Sequence, residues 1–230
     1  MLTATTEDYL KHLYLEEQRL DGNLVPNGTL AALLGVTPGT ATAMVKTLAD
    51  AGLVEHVSHR GARVTDKGAS LALHVIRRHR LIEKFLVEIL GFDWSEVHDE
   101  AEALEHVVSE NLLHRLEQKL GYPTHDPHGE PIPDADGEMA ERSAHSLADC
   151  VAGSRVTISR IDDREPSFLR FADDHGLRPG TALDVEQMNA VSDSVQVRPE
   201  QSDAVVLGIA AARRIFVELW GENERESEPG

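Results

Sequence analysis

The chain has 230 residues, 41% of them hydrophobic, enough for one large domain or two small ones with a sizeable core. No apolar run approaches the roughly 20 residues needed to cross a bilayer, and the stretch from Met1 to Asp8 carries neither a basic nor an apolar leader, so neither a membrane partner nor a secretory signal is expected. The single cysteine, Cys150, excludes an internal disulfide and a cysteine-built zinc site, which fits a reducing cytoplasm.

A net charge of −18 argues against nucleic acid until it is mapped. Residues 1–90 hold ten Lys/Arg and ten Asp/Glu, whereas the other 140 hold 12 and 30. Arg60, Arg63, Lys67, Arg77, Arg78, Arg80 and Lys84 cluster against only Asp66 and Glu83. Such a locally basic stretch can meet phosphate while the acidic remainder faces solvent.

In chain order, Thr5 or Thr6 is placed to cap a helix through Tyr9, Leu10, Leu13, Tyr14 and Glu17, which Leu20-Asp21-Gly22-Asn23 ends. Thr29 opens a short helix through Leu30 and Leu34, stopped by Gly35. Val36-Thr37-Pro38-Gly39 leads into a helix from Thr40 to Asp50, striped by Ala41, Met44, Val45 and Leu48. Two short helices around a tight glycine turn predict a helix-turn-helix. Leu53 to Thr65 reads as two short strands about an Arg-Gly turn, a β-hairpin wing. Asp66 begins a long helix ending near Gly91, and Ser95 caps another that runs to Leu120 before Gly121. The latter's stripe of Val97, Ala101, Leu104, Val108 and Leu112 is suited to a dimer seam. Tyr122 to Gly137, with Pro123, Pro127, Pro131 and Pro133, reads as a linker. Beyond it the apolar period becomes two. Val156/Ile158, Leu183/Val185, Val195/Val197, Val205/Leu207 and Ile215/Val217/Leu219 predict five short strands of a small β-barrel. Residues 222–230 form a polar tail expected to be disordered.

The chemistry concentrates in His98-Asp99-Glu100-Ala101-Glu102-Ala103-Leu104-Glu105-His106. On a helix, His98, Glu102, Glu105 and His106 fall at i, i+4, i+7 and i+8, one face with no lysine or arginine among them. Like charges at that spacing repel, and a divalent ion would reverse the sign of the field. His79 and Glu83 add an i,i+4 pair on the preceding helix.

Taken together, the helix-turn-helix, the wing, His79-Arg80-Leu81-Ile82-Glu83, the His98–His106 block, Asp126-Pro127-His128-Gly129 and the terminal strands resemble the diphtheria-toxin-repressor family of metal-dependent transcription regulators. The resemblance implies an α+β chain in three parts. These are a winged helix-turn-helix DNA-binding domain at 1–72, a metal-binding and dimerisation domain with its linker at 73–145, and an SH3-like (FeoA-like) β-barrel at 146–221. Asp8 and Glu102 stand where iron-type members carry Met and Cys, so the chain is similar to the manganese type. Oxygen and imidazole donors without sulfur suit Mn²⁺ or Fe²⁺. The resemblance assigns Asp8, His79, Glu102, Glu105 and His106 to a primary metal site. Glu83, His98, Asp126 and His128 go to a second site, which Glu165 also reaches in some members. About two ions per subunit follow, Mn²⁺ with Fe²⁺ as an alternative. Some short manganese-type members have a ligating Glu where this chain has Lys11, and a charged lysine has no lone pair to offer. For DNA the resemblance implies Thr37, Gly39, Thr40 and Thr42 at base edges, with Lys46, Arg60 and Arg63 on phosphate.

The expected function is thus a homodimeric, Mn²⁺-dependent repressor of metal-uptake genes on double-stranded operator DNA, with no membrane and no small-molecule substrate as partners. It is not expected to be an enzyme. A metalloenzyme of the carboxylate/histidine type is the competing reading, but the chain contains neither the two Glu-x-x-His pairs of a di-iron bundle nor His-Glu-x-x-His. Metal storage leaves the helix-turn-helix and wing unexplained.

Overall fold

The first helix, α1 (Ala4–Arg19), starts two or three residues earlier than its threonine pair implies. In the computed structural model the Oγ1 of Thr3, not Thr5 or Thr6, accepts the backbone N–H of Thr6 at 3.3 Å. The described residues are 3–140, 145–162 and 165–219; the expected tail at 222–230 lies outside them. The described chain falls into two compact units. One is made from Met1–His79, Glu102–Arg115 and Pro133–Met139, the other from Arg80–Ala101, Leu116–Ile132 and Ala140–Gly230.

In the first unit α1 is followed by α2 (Asn27–Leu33) and α3 (Pro38–Asp50), then by the antiparallel strands β1 (Val54–Val57) and β2 (Gly61–Val64). This is the expected helix-turn-helix and wing. Helix α3 begins two residues before Thr40, because Thr37 caps it and Pro38 fits its first turn. The core gathers Tyr9, Leu10, Leu13, Leu30, Val45, Leu48 and Val54. α1 is tied to the wing by Glu17 Oε2, which accepts the N–H of Val64 at 2.9 Å.

Helix α4 (Asp66–Glu88) opens against the wing's base. Thr65 Oγ1 accepts the N–H of Gly68 at 3.2 Å, and a Cβ on Gly68 would stand 2.0 Å from the carbonyl oxygen of Leu53. Alanine normally favours a helix over glycine by about 1 kcal/mol. Here the clash decides the sign, and Gly68→Ala is expected to lower stability by about 1–3 kcal/mol. A melting temperature equal to or above the parent's would contradict this packing.

The long helix expected from Ser95 to Leu120 is two helices, α5 (Val97–Glu105) and α6 (Glu110–Lys119). Ser109 makes the break: its Oγ accepts the N–H of Leu112 at 3.3 Å and its carbonyl that of Leu113 at 2.9 Å, the pattern of a new helix start. His106 therefore lies in the turn after α5 rather than on its face. Of the expected seam, Val97 and Ala101 are buried while Leu104 (36% exposed) and Leu112 (47%) face outward.

The second unit carries an antiparallel five-stranded sheet ordered β6-β5-β4-β3-β7, from β3 (Arg155–Ile161), β4 (Ala182–Asn189), β5 (Ser194–Pro199), β6 (Val205–Gly208) and β7 (Ile215–Leu219). All five strands stand where the alternation puts them. Val156, Ile158, Leu183, Val185, Val195, Val197, Leu207, Ile215 and Val217 form the core. A bulge between Ile158 and Arg160 resets the parity, so Ile161 is buried rather than Arg160. Helix α7 (Pro166–Asp174), missed by the strand reading, lies between β3 and β4 and buries Phe168, Leu169 and Ala172. A single turn, α8 (Ile209–Ala212), joins β6 to β7.

The proline-rich stretch is not a free linker. Asp126 and residues His128 to Pro133 are buried. Prolyl carbonyls take arginine donors from α4: Arg77 Nη1 donates to Pro133 O at 2.6 Å and Arg80 Nη1 to Pro131 O at 2.5 Å. Arg78 pairs with Glu7 at 2.8 Å. Arg77, Arg78 and Arg80, counted in the basic stretch, are thus committed to the protein's own acceptors.

Candidate metal centres

α1, α4 and α5 bring the first group together within the first unit. Glu105 is fully buried, and both of its oxygens are engaged: Oε1 accepts from Lys11 Nζ at 2.6 Å and Oε2 meets His79 Nδ1 at 2.6 Å. Lys11 Nζ also donates to Glu102 Oε1 at 2.6 Å. His106 turns Nε2 to Asp8 Oδ1 and Nδ1 to Glu7 Oε2, each at 2.7 Å. Burial lowers the His106 pKa, but the hydrogen bond to Glu7 and the charges of Glu105 and Asp8 outweigh it and hold the ring above its ordinary value. Burial also raises Asp8 above the ordinary carboxylate range, against the opposing pull of His106. Ligand atoms of Asp8, Glu105 and His106 lie within 4.8 Å of one another, as do those of His79, Glu102 and Glu105. Two triads sharing one carboxylate, all oxygen and nitrogen, fit a hard or borderline divalent ion.

A second group sits wholly within the second unit. Glu83, Asp126 and His128 are buried, with ligand atoms within 4.8 Å. Asp126 Oδ1 accepts the N–H groups of His128 (2.8 Å) and Glu130 (2.9 Å), whereas its Oδ2 is buried and accepts no hydrogen bond among the described residues. His128 Nε2 donates to Trp94 O at 2.8 Å, which leaves the neutral ring's lone pair on Nδ1, 4.0 Å from Glu83 Oε2. Burial first, then the Glu83 charge, pushes the Asp126 carboxyl up to about 7. A divalent ion here would favour the ionised carboxylate over the protonated one. His98 lies at the exposed rim, Nδ1 3.3 Å from Glu83 Oε1. Glu165 is in neither ligand cluster among the described residues. Its oxygens accept from Ser167 at 2.5 Å and Arg214 at 2.8 Å, and these bonds hold its carboxyl below the ordinary range.

The block that reads as one ligand face therefore divides: His98 meets Glu83, Glu102 and Glu105 meet Lys11, and His106 meets α1. Lys11, Glu7 and Glu130 complete these surroundings and were not expected there. Lys11 was legible as a cation on the Asp8 helix, but its partners are 91 and 94 residues away.

Of the residues expected to meet DNA, Thr37, Gly39, Thr40, Lys46, Arg60 and Arg63 are exposed and Thr42 is half-buried. The hydroxyls of Thr37 and Thr40 bond each other at 2.9 Å, and Thr42 Oγ1 donates to Pro38 O at 2.8 Å. Arg63 pairs with Glu55 at 2.6 Å across the hairpin.

Comparison with known proteins agrees with this architecture. A family model described as the iron dependent repressor, N-terminal DNA binding domain matches residues 1–62. Its metal binding and dimerisation domain matches 65–134, and the FeoA domain matches 145–219. The iron-dependent repressor IdeR of Mycobacterium tuberculosis is 40% identical over 133 residues, a match spanning 57% of this chain and only 56% of that relative's length. IdeR of Mycobacterium leprae is 35% identical over 199 residues, covering 80% of this chain and 85% of the relative. A solved manganese-dependent transcriptional repressor in complex with manganese superposes with a TM-score of 0.86 at 39% identity, covering 93% of this chain and 99% of the other. No single helix among the described residues is long and apolar enough to cross a membrane. On its matched domains and its fold, the chain belongs to the iron-dependent (diphtheria-toxin) repressor family of metal-dependent transcription regulators.

Proposed function

We propose that the chain is a Mn²⁺-dependent transcription regulator, also answering to Fe²⁺, that represses metal-uptake genes as a cytoplasmic homodimer on double-stranded operator DNA. The observation that carries this reading is the meeting of α1 with His106: Asp8 and Glu7, on a helix that also holds the wing through Glu17, reach a ring in the turn after α5. Asp8, Glu102, Glu105 and His106, with His79, would hold one ion, and Glu83, Asp126 and His128, with His98, a second. A bound divalent ion supplies the positive charge that lets these carboxylates share one place. The rest is done by the chain. Asp8 and His106 set where α1 lies, and α1 sets the wing through the Glu17–Val64 bond. In a dimer that spacing must match half-sites about one duplex turn, or a multiple of it, apart. Metal favours the DNA-competent state only by its higher affinity for that state. The outward-facing Leu104 and Leu112 support a subunit seam along α5 and α6.

The test is fluorescence anisotropy of the full chain on duplex DNA from upstream of its own operon, at fixed salt, with and without Mn²⁺. Saturable binding that appears with Mn²⁺ and vanishes on chelation is expected. Binding indifferent to metal overturns the gating, and tight Mn²⁺ binding with no affinity for any duplex overturns the DNA role. In the same assay Arg60→Ala is expected to weaken binding to all sequences alike and to reduce the log–log salt slope by about 1. Loss at one operator only would contradict a phosphate contact.

A further inference from the structure

We propose that Glu130 is a positioning residue for the Glu83–Asp126–His128 group: its carboxylate holds the Arg80 guanidinium off Asp126, so that a divalent ion and not an arginine neutralises that side chain. This rests on the reading that the group takes a divalent ion. Arg80 and Glu130 are both buried. Arg80 Nε lies 3.7 Å from Asp126 Oδ2, just beyond hydrogen-bond reach, and that oxygen accepts no hydrogen bond among the described residues. A shift of about 1 Å would close the pair. Two contacts oppose it: Nη1 donates to Pro131 O at 2.5 Å, and Nη2 donates to Glu130 Oε2 at 3.1 Å.

Glu130 is anchored in turn from the sheet. Its Oε1 accepts from Arg160 Nη1 at 2.9 Å, and the Arg160 guanidinium lies over the Phe216 ring, 3.5 Å from its centroid. The loop bearing Glu130 sits directly on β3. The N–H of Ile161 donates to His128 O at 2.9 Å, and a Cβ on Gly129 would fall 2.0 Å from Ser159 O. The bulge in β3 between Ile158 and Arg160 is what brings Arg160 to this loop. The sheet thereby acts on the ion group through Arg160 and the β3 backbone.

Removing the negative charge of Glu130 leaves the buried Arg80 guanidinium beside the half-buried Arg160, with the Asp126 carboxylate 3.7 Å from Arg80 Nε. A buried unpaired charge is among the most unfavourable groups a protein can hold, so the arginine takes the carboxylate. Glu130→Gln keeps the volume and removes the charge. With Mn²⁺ as the probe, competed against a fluorescent chelator on the full chain, the parent is expected to take two ions. Glu130→Gln is expected to weaken the second ion by about 10–100-fold, the range for partners that orient metal ligands, and to leave the first unchanged. The double variant Arg80→Gln/Glu130→Gln is expected to recover most of that loss, and Arg80→Gln alone to bind the second ion at least as tightly as the parent. A purely structural Arg80–Glu130 pair predicts the opposite: no recovery in the double variant and a loss in Arg80→Gln, which overturns the inference even if Glu130→Gln fails to fold. A parent that takes two ions with Glu130→Gln unchanged overturns the inference and leaves the metal reading standing. A parent that takes no second ion overturns both.

Discussion

Glutamine at position 105 is expected to abolish the Mn²⁺ response of DNA binding while leaving the second ion in place. Glu105 is the one carboxylate shared by both triads of the first group, and it is fully buried. Loss of an orienting partner alone weakens a metal by about 10–100-fold, and loss of a shared ligand is expected to exceed the top of that range. The amide keeps the volume and can still accept from Lys11, which retains Glu102 as its ionic partner. Titration with Mn²⁺ should show one tight ion instead of two, and anisotropy on operator DNA should show no gain on adding metal. An unchanged response would remove Glu105 from the site and the two triads with it.

Lysine 11 should produce the largest change in stability. Its ammonium, 3% exposed, donates to Glu102 and Glu105 at 2.6 Å each. Methionine there keeps the stem and deletes the charge, leaving two carboxylates facing one another beside His79. Breaking a buried pair from one side costs about 3–5 kcal/mol, which in a chain of this size lowers the melting temperature by roughly 10 °C. Ligand binding stabilises the folded state as the logarithm of its concentration over its dissociation constant. Mn²⁺ should therefore restore much of the loss in Lys11→Met and raise its melting temperature by more than it raises the parent's. Equal metal-free stabilities would mean that the ammonium contributes nothing to holding these carboxylates.

Much of this architecture is legible in local chemistry. The five strands are written in alternation, and the helix-turn-helix in its cap and glycine signals. The misreadings come from residues whose local and tertiary preferences differ. Ser109 is a helix starter hidden inside a run of helix formers, so α5 and α6 read as one. Phe168, Leu169 and Ala172 keep helical spacing, but the surrounding period-two pattern hides it. Proline content reports that a stretch cannot pair as a strand. It does not report that Pro131 and Pro133 carbonyls receive buried arginines. The ligand types were visible in local chemistry, while their division into two groups followed from the family resemblance alone, because physically it depends on contacts across the chain. His98 and Glu102 are one turn apart in sequence, yet their partners are Glu83 and Lys11.

The break after Glu105 also bears on selectivity. Four ligands fixed along one rigid rod would impose a single bite on any ion. Here Glu102 and Glu105 ride on α5, whereas His106 sits in the turn after it and bonds α1 through Glu7 and Asp8. If these residues hold an ion, ligands placed on both sides of such a break would not fix one ionic radius, and donor type alone would select poorly among divalent ions of similar hardness. The set point of such a centre would then be written less by the protein than by which metals its surroundings keep in supply.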